Sequence, residues 1–169
     1  MLEIGVNINL QDCVGRTALM YAIAYKNIDV VDRLLLTGRC DLNLENMWGN
    51  NVLFYAVEKG DLEIVDRLLA HGANYYYIND KGKNLLDVAV ASGNIAMIQK
   101  ILSLGLDINR QNKFGSTLLI SAVRNNNKEL IKILLEQRAD PKIEDSMGQR
   151  PMELTNDIEI KDLLKMFEK

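Results

Sequence analysis

Histidine occurs once in this 169-residue chain, at His71, and cysteine twice, at Cys13 and Cys40. A single histidine forces any imidazole-dependent acid–base mechanism through one ring. Two cysteines outside any CxxC pair supply neither a disulfide framework nor a zinc ligand set, and read as free thiols in a reducing compartment. Apolar runs are short: Leu34-Leu35-Leu36 and Val88-Ala89-Val90-Ala91 fall far below the roughly 20 residues that cross a bilayer. The opening MLEIGVNINLQD lacks the basic-then-apolar order of a signal peptide. Basic residues are not in surplus either, and a formal net charge of -3 argues against holding nucleic acid through bulk positive charge. Neither GxxxxGK[ST] nor HExxH occurs. These absences predict a protein without cofactor, metal, nucleic-acid partner or membrane insertion, in the cytoplasm, with export as an effector left open.

What is present is a composition of 48% hydrophobic and 25% charged residues, that of a soluble globular protein, and a repeat. Glycines stand at 15, 49, 82, 115 and 148, separated by 34, 33, 33 and 33 residues. Around them recur DCVGRTALMYA, NMWGNNVLFYA, NDKGKNLLDVA, NKFGSTLLISA and DSMGQRPMEL. Downstream come IDVVDRLLLTG, LEIVDRLLAHG, IAMIQKILSLG and KELIKILLEQR. In each unit Thr17, Asn51, Asn84 and Thr117 can accept a backbone N–H and start a short helix, while Pro151 takes the first helical position in the fifth. Asn27, Asp61, Asn94 and Asn127 cap a second helix. Its buried stripe is Val30-Val31/Leu34-Leu35 and the equivalents Ile64-Val65/Leu68-Leu69, Met97-Ile98/Ile101-Leu102 and Leu130-Ile131/Leu134-Leu135. Gly38, Gly72 and Gly105 supply a left-handed terminus, and Arg138 in their place predicts strain of about 1 kcal/mol or an altered turn.

Two short antiparallel helices and an extended turn every 33 residues, with LEIVDRLLAHGAN and the G-x-T/N-x-L core as the most specific pieces, resemble the ankyrin repeat. The resemblance covers nearly the whole chain and implies an all-α ankyrin-repeat solenoid, stacked helix pairs joined by β-hairpin loops. The expected organisation is one domain over 1–169. A partial repeat tail occupies 1–11, repeats follow at 12–45, 46–78, 79–111 and 112–144, and a shortened capping repeat lies at 145–169 with Leu163 and Leu164 inward. At the start only the tail of a repeat is recognisable, with Leu2 where a second helix would end. This predicts a longer ankyrin protein, or another subunit covering the first repeat. The family's T-P-L-H signature reads TALM, NVLF, NLLD, TLLI and RPME. Where the family's histidine would tie neighbouring repeats, Met20, Phe54 and Ile120 predict packing instead, and Asp87 and Glu153 have no such account.

The resemblance places function on hairpin tips and first helices and implies recognition of a protein or peptide without chemistry. The tip residue before each glycine reads Val14, Trp48, Lys81, Phe114 and Met147. It forms either an exposed recognition row or side chains folded onto their neighbours. Adjoining variable positions are Met47, Arg16, Asn50, Lys83, Ser116, Tyr25, Glu58, Lys59, Ala91, Ser92, Arg124 and Asn125. Their basic excess fits a partner with apolar anchors and negative charge, or a solvated face. In GANYYYINDKG, Tyr75 matches apolar counterparts and is expected beneath the hairpin. Tyr76 replaces the asparagine that braces the family's turn, and Tyr77 is expected partly exposed, within reach of a partner. Strand alternation would keep the three from forming one platform. His71 and the carboxylates Asp29/Asp32 and Glu63/Asp66 read as helix-terminus residues rather than catalytic ones. The main functional expectation is therefore a non-catalytic interaction module. An accessory targeting domain of a longer multidomain enzyme, or a secreted bacterial effector, is the alternative.

Overall fold

The computed structural model describes residues 5–79 and 81–168, so Leu2 lies outside the described residues. Among these residues there are nine α-helices, one 3₁₀ turn and no β-strand. The hairpin arms expected from the resemblance are therefore turns and extended chain. The chain divides into two compact units, residues 1–104 and 105–169.

The first unit holds three helix pairs: α1 (Ala18–Ala24) with α2 (Ile28–Leu36), α3 (Val52–Lys59) with α4 (Leu62–Ala70), and α5 (Leu85–Ser92) with α6 (Ile95–Leu102). Helices of seven to nine residues are too short to persist alone, so each depends on the face it buries. α3 packs against α1, α4 and α5 and is the most enclosed, with Val52 through Val57 all buried. Small alanines let the first helices approach: Ala56 and Ala89 are fully buried. The second helices bury the expected stripe only where a neighbour covers it. Ile64 in α4 is fully buried, whereas its equivalent Val30 in α2 is 40% exposed, because α2 packs on α1 and α4 but has no helix on its other side among the described residues. Ala18 is exposed for the same reason, although its equivalents Val52 and Leu85 are buried.

The second unit holds α7 (Leu118–Arg124) with α8 (Lys128–Glu136), then the 3₁₀ turn Pro151–Leu154 and α9 (Ile158–Phe167). Pro151 sits at the first position of a first helix shortened to that single turn. In α9 the inward residues are Ile160 and Leu164, while Leu163 is only half-buried, which shifts the expected inward face by part of a turn. Arg138 adopts φ +67° and keeps the turn that glycine makes elsewhere: its N–H reaches the Leu135 carbonyl at 2.9 Å, and the Ala139 N–H reaches Leu134 at 2.9 Å. The left-handed conformation costs a non-glycine residue about 1–2 kcal/mol, partly offset by the larger unfolded-state entropy of glycine. Arg138→Gly is therefore expected to stabilise the protein by about 0.5–1 kcal/mol. Urea unfolding checks this, and a destabilised variant contradicts the strain.

Met20, Phe54 and Ile120, at the family's histidine position, are fully buried and pack. The two exceptions have a local role. Asp87 Oδ2 accepts the N–H of the cap residue Asn84 at 2.8 Å, closing a capping box. Glu153 Oε2 likewise accepts the Arg150 N–H at 2.8 Å. Each carboxylate thus satisfies an otherwise orphaned helix-start donor.

Asp29 and Glu63 lie in first helical turns as expected, but Asp32 and Asp66 lie one turn further on and pair with the next second helix. Asp32 meets Arg67 Nε at 2.7 Å, Glu63 meets Arg67 Nη1 at 2.9 Å, and Asp66 pairs with Lys100. In the second unit Lys128 bridges to Asp157 at 2.9 Å and to Glu159. That contact, together with burial-opposed backbone bonds, holds the Asp157 carboxyl below its ordinary range. Exposed pairs of this kind add little stability singly. His71 ends α4, its Nδ1 donating to the Arg67 carbonyl at 2.8 Å, the helix-terminus role expected of it.

Candidate functional site

Every tip turn is built on one device. An Asn or Asp three residues before the tip glycine accepts two backbone N–H groups from its own turn. In the first unit Asp12 Oδ1 takes those of Val14 (3.0 Å) and Arg16 (2.7 Å). Asn46 Oδ1 takes Trp48 (3.0 Å) and Asn50 (3.2 Å), and Asn79 Oδ1 takes Lys81 (3.1 Å) and Lys83 (2.9 Å). In the second unit Asn112 and Asp145 do the same. The Asp12 carboxyl is held below its ordinary range, first by the Tyr21 hydroxyl donating at 2.6 Å, and Tyr21 is raised by the same bond. Asp145 is lowered chiefly by the Gln149 backbone N–H, with Arg124 Nη2 at 2.5 Å adding to it. Tips are also sewn together: Met47 N donates to the Val14 carbonyl at 2.9 Å, and Gln11 Nε2 bridges the Gly15 and Glu45 carbonyls at 2.8 and 2.7 Å.

The turns of the first unit, with α3 and α5, wall a groove of about 510 Å³. Trp48, Lys81 and Lys83 line it together with Arg16, Asn50, Glu58, Lys59, Ala91 and Ser92, all positions singled out in the sequence. The sequence reading missed Asn46, Tyr55, Asn79 and Val88. The two asparagines had a visible signal, the recurrent Asn/Asp opening each tip segment. Among the described lining residues, Arg16, Lys59, Lys81 and Lys83 face one carboxylate, Glu58, which already accepts Asn50 Nδ2 at 2.9 Å. Trp48 is 42% exposed, with the Arg16 guanidinium 5.3 Å from its ring centre, and Lys59 Nζ lies 5.1 Å from the Tyr55 ring centre. Trp48 is thus neither free nor folded away: a cation lies against its ring and 42% of the residue meets solvent.

The other sequence-predicted residues do not line this groove. Val14 is half-buried at the first tip, and Met47 is exposed beside Trp48. Tyr77 is half-buried, packed edge-on against Phe54 at 5.4 Å with its hydroxyl on Glu45. Tyr75 is half-buried rather than beneath the hairpin, and its ring stacks on Tyr76 at 4.3 Å. Strand alternation does not separate these two because residues 75–76 form a turn. In the second unit Phe114 and Met147 are exposed at 61% and 77%, while Arg124 is committed to Asp145. Among the described residues no cluster of His, Cys, Asp and Glu is arranged to hold a metal ion. No described helix is long and apolar enough to cross a membrane.

The family model for ankyrin repeats (3 copies) matches residues 1–80, 31–112 and 86–155. The ankyrin repeat domain of Bcl-3, a member of the IkappaB protein family, is similar in structure with a TM-score of 0.84 and 27% identity, over 95% of this chain and 72% of that one. A chain from the complex of a predatory endopeptidase of Bdellovibrio bacteriovorus with an immunity protein is similar with a TM-score of 0.77 and 29% identity, over 96% of this chain and 86% of that one. No curated protein matches the sequence significantly. Ankyrin repeats generally mediate protein–protein interaction and are typically non-catalytic. On its repeats, its capped helix pairs and these matches, the chain belongs to the ankyrin repeat family.

Proposed function

We propose that the protein is a non-catalytic interaction module whose first unit grips a protein partner in the groove between hairpin tips and first helices. One observation carries the reading: Trp48, Lys81 and Lys83 converge with Arg16 and Lys59 on a single open groove. A half-exposed tryptophan with one arginine on its ring, in a groove lined by three lysines, has the composition of an interface hot spot. The Bdellovibrio neighbour, itself taken from a complex of two proteins, supports the reading. Val14, Met47 and Tyr77 flank the groove along the chain, and Phe114, Arg124 and Met147 form the corresponding candidate contacts of the second unit. The repeats at 12–45, 46–78, 79–111 and 112–144, with the cap at 145–169, are read as one interaction domain. Rigid packing of the repeats lowers the entropy lost on association.

The test is to identify a binding protein from a displayed proteome and titrate it against the parent chain and Trp48→Ala. The variant is expected to weaken binding by about 1–4 kcal/mol with an unchanged circular dichroism spectrum. Full retention of affinity by a folded Trp48→Ala protein would refute the groove as the contact surface.

A further inference from the structure

Two hydrogen-bond donors buried in the wall of this groove, Arg16 Nε and Asn46 Nδ2, have no partner among the described residues. Buried polar atoms are rarely left unpaired, and each one that is calls for a reason. Neither donor can relax easily. Asn46 is 5% exposed, and its Oδ1 already takes the Trp48 and Asn50 N–H groups, so flipping the amide would break both bonds to satisfy one atom. The equivalent Asp12 spends its second oxygen on the Tyr21 hydroxyl at 2.6 Å. Asn46 has nothing comparable on Nδ2. The Arg16 guanidinium is held over two rings, Trp48 at 5.3 Å and Tyr21 at 5.8 Å. The nearby Asp12 carboxylate is occupied by Tyr21 and by the N–H groups of Val14 and Arg16.

Resting on the reading of the groove as a partner surface, we propose that these two donors receive a carboxylate, the Asp or Glu side chain of an extended peptide segment of the partner. The acid enters as Trp48 turns off Arg16. Both donors are now covered; the Arg16 guanidinium lies 5.3 Å from the ring centre of Trp48, which stands on an exposed tip, 42% open to solvent. The surrounding charge fits such an occupant: four cations line the groove, and its one described carboxylate is engaged by Asn50. A chain of net charge -3 repels an extended polyanion but not one acidic side chain delivered to a local basic recess. Trp48, displaced from Arg16, then offers its face to an apolar residue beside the acid.

Random dodecapeptides displayed on phage are panned against the full chain, and enriched peptides are synthesised and titrated by the fluorescence of Trp48, the sole tryptophan. The expected peptides carry an acid next to an apolar residue. Changing that acid to its amide is expected to weaken binding roughly 10- to 100-fold, as is Asn46→Asp, which keeps the turn acceptor and replaces the donor by a charge that repels. Asp occupies the equivalent positions 12 and 145, so this variant is expected to fold. Should it not, Arg16→Lys, which keeps the charge and removes Nε, decides. Peptides that depend on Trp48 but bind equally as acid or amide overturn the carboxylate site while leaving the groove intact. Tighter binding of a phosphoserine in place of the acid overturns it in favour of a phosphorylated partner. Enrichment no better than on Trp48→Ala removes both this inference and the function on which it rests.

Discussion

Phe54→Ala is expected to lower stability by about 3–5 kcal/mol, among the largest losses a single side-chain truncation in this protein can produce. The ring is fully buried on α3, the helix enclosed by α1, α4 and α5, and is the largest of the fully buried side chains among the described residues. Removing it forfeits the transfer of about 1.5–3 kcal/mol for a large apolar side chain and leaves a cavity that short capped helices cannot close by moving together. The backbone is unaffected in the comparison, because the Phe54 N–H is bonded to the Asn51 side chain at 3.0 Å and alanine keeps that bond. The edge contact with Tyr77 at 5.4 Å is lost as well. Chemical denaturation measures the loss. A change below about 1.5 kcal/mol would mean that the pocket collapses around alanine and that α3 is not the rigid centre of the unit.

The same residue marks how far the sequence could be read. Phe54 stands where a family histidine would, and its burial follows from type alone, as for Met20 and Ile120. Helix starts were equally legible: all eight expected cap residues, Thr17, Asn27, Asn51, Asp61, Asn84, Asn94, Thr117 and Asn127, accept the N–H three residues on. Capping is a local interaction, so a local pattern is enough to find it. Burial at Val30 is not local. Val30 and Ile64 share a register position, and what separates them is a neighbouring helix on one side. Asp87 and Glu153 are also legible locally, as acids at the third helical position, where a carboxylate closes a capping box.

Of the candidate site, the convergence of Trp48, Lys81 and Lys83 was implied by the repeat register. The groove's buried donors were not. An unpaired Arg16 Nε or Asn46 Nδ2 is defined by everything that fails to reach it, which no spacing in the sequence encodes. The tyrosines show the opposite error. Strand alternation holds only for extended chain, and residues 75–76 form a turn, so two rings expected apart are stacked.

The tips themselves supply the second large effect. Gly115→Ala is expected to cost about 2–5 kcal/mol, against about 1 kcal/mol for Gly148→Ala in the same unit. Both glycines are left-handed, at φ +69° and +74°, so both substitutions carry the same conformational penalty. They differ in what the new methyl meets. At Gly148 nothing lies within 4 Å, whereas at Gly115 the Cβ would stand 2.5 Å from the Ser146 backbone nitrogen and 3.0 Å from the Asp145 carbonyl carbon. Those atoms are backbone and cannot turn aside as a side chain would. Relief requires the two tips to part, which strains the Ser146 N–H bond to the Phe114 carbonyl at 3.2 Å. It also pulls on Gln111, whose Nε2 spans the Gly115 and Glu144 carbonyls at 2.6 and 2.8 Å. One methyl group therefore acts on the whole seam between adjacent tips. Parallel urea unfolding of the two variants separates the contributions: the shared loss reports the left-handed turn, and the excess at Gly115 reports the close approach. Equal losses would show that the seam opens without cost and that these tips are not held in the register on which a continuous recognition surface depends.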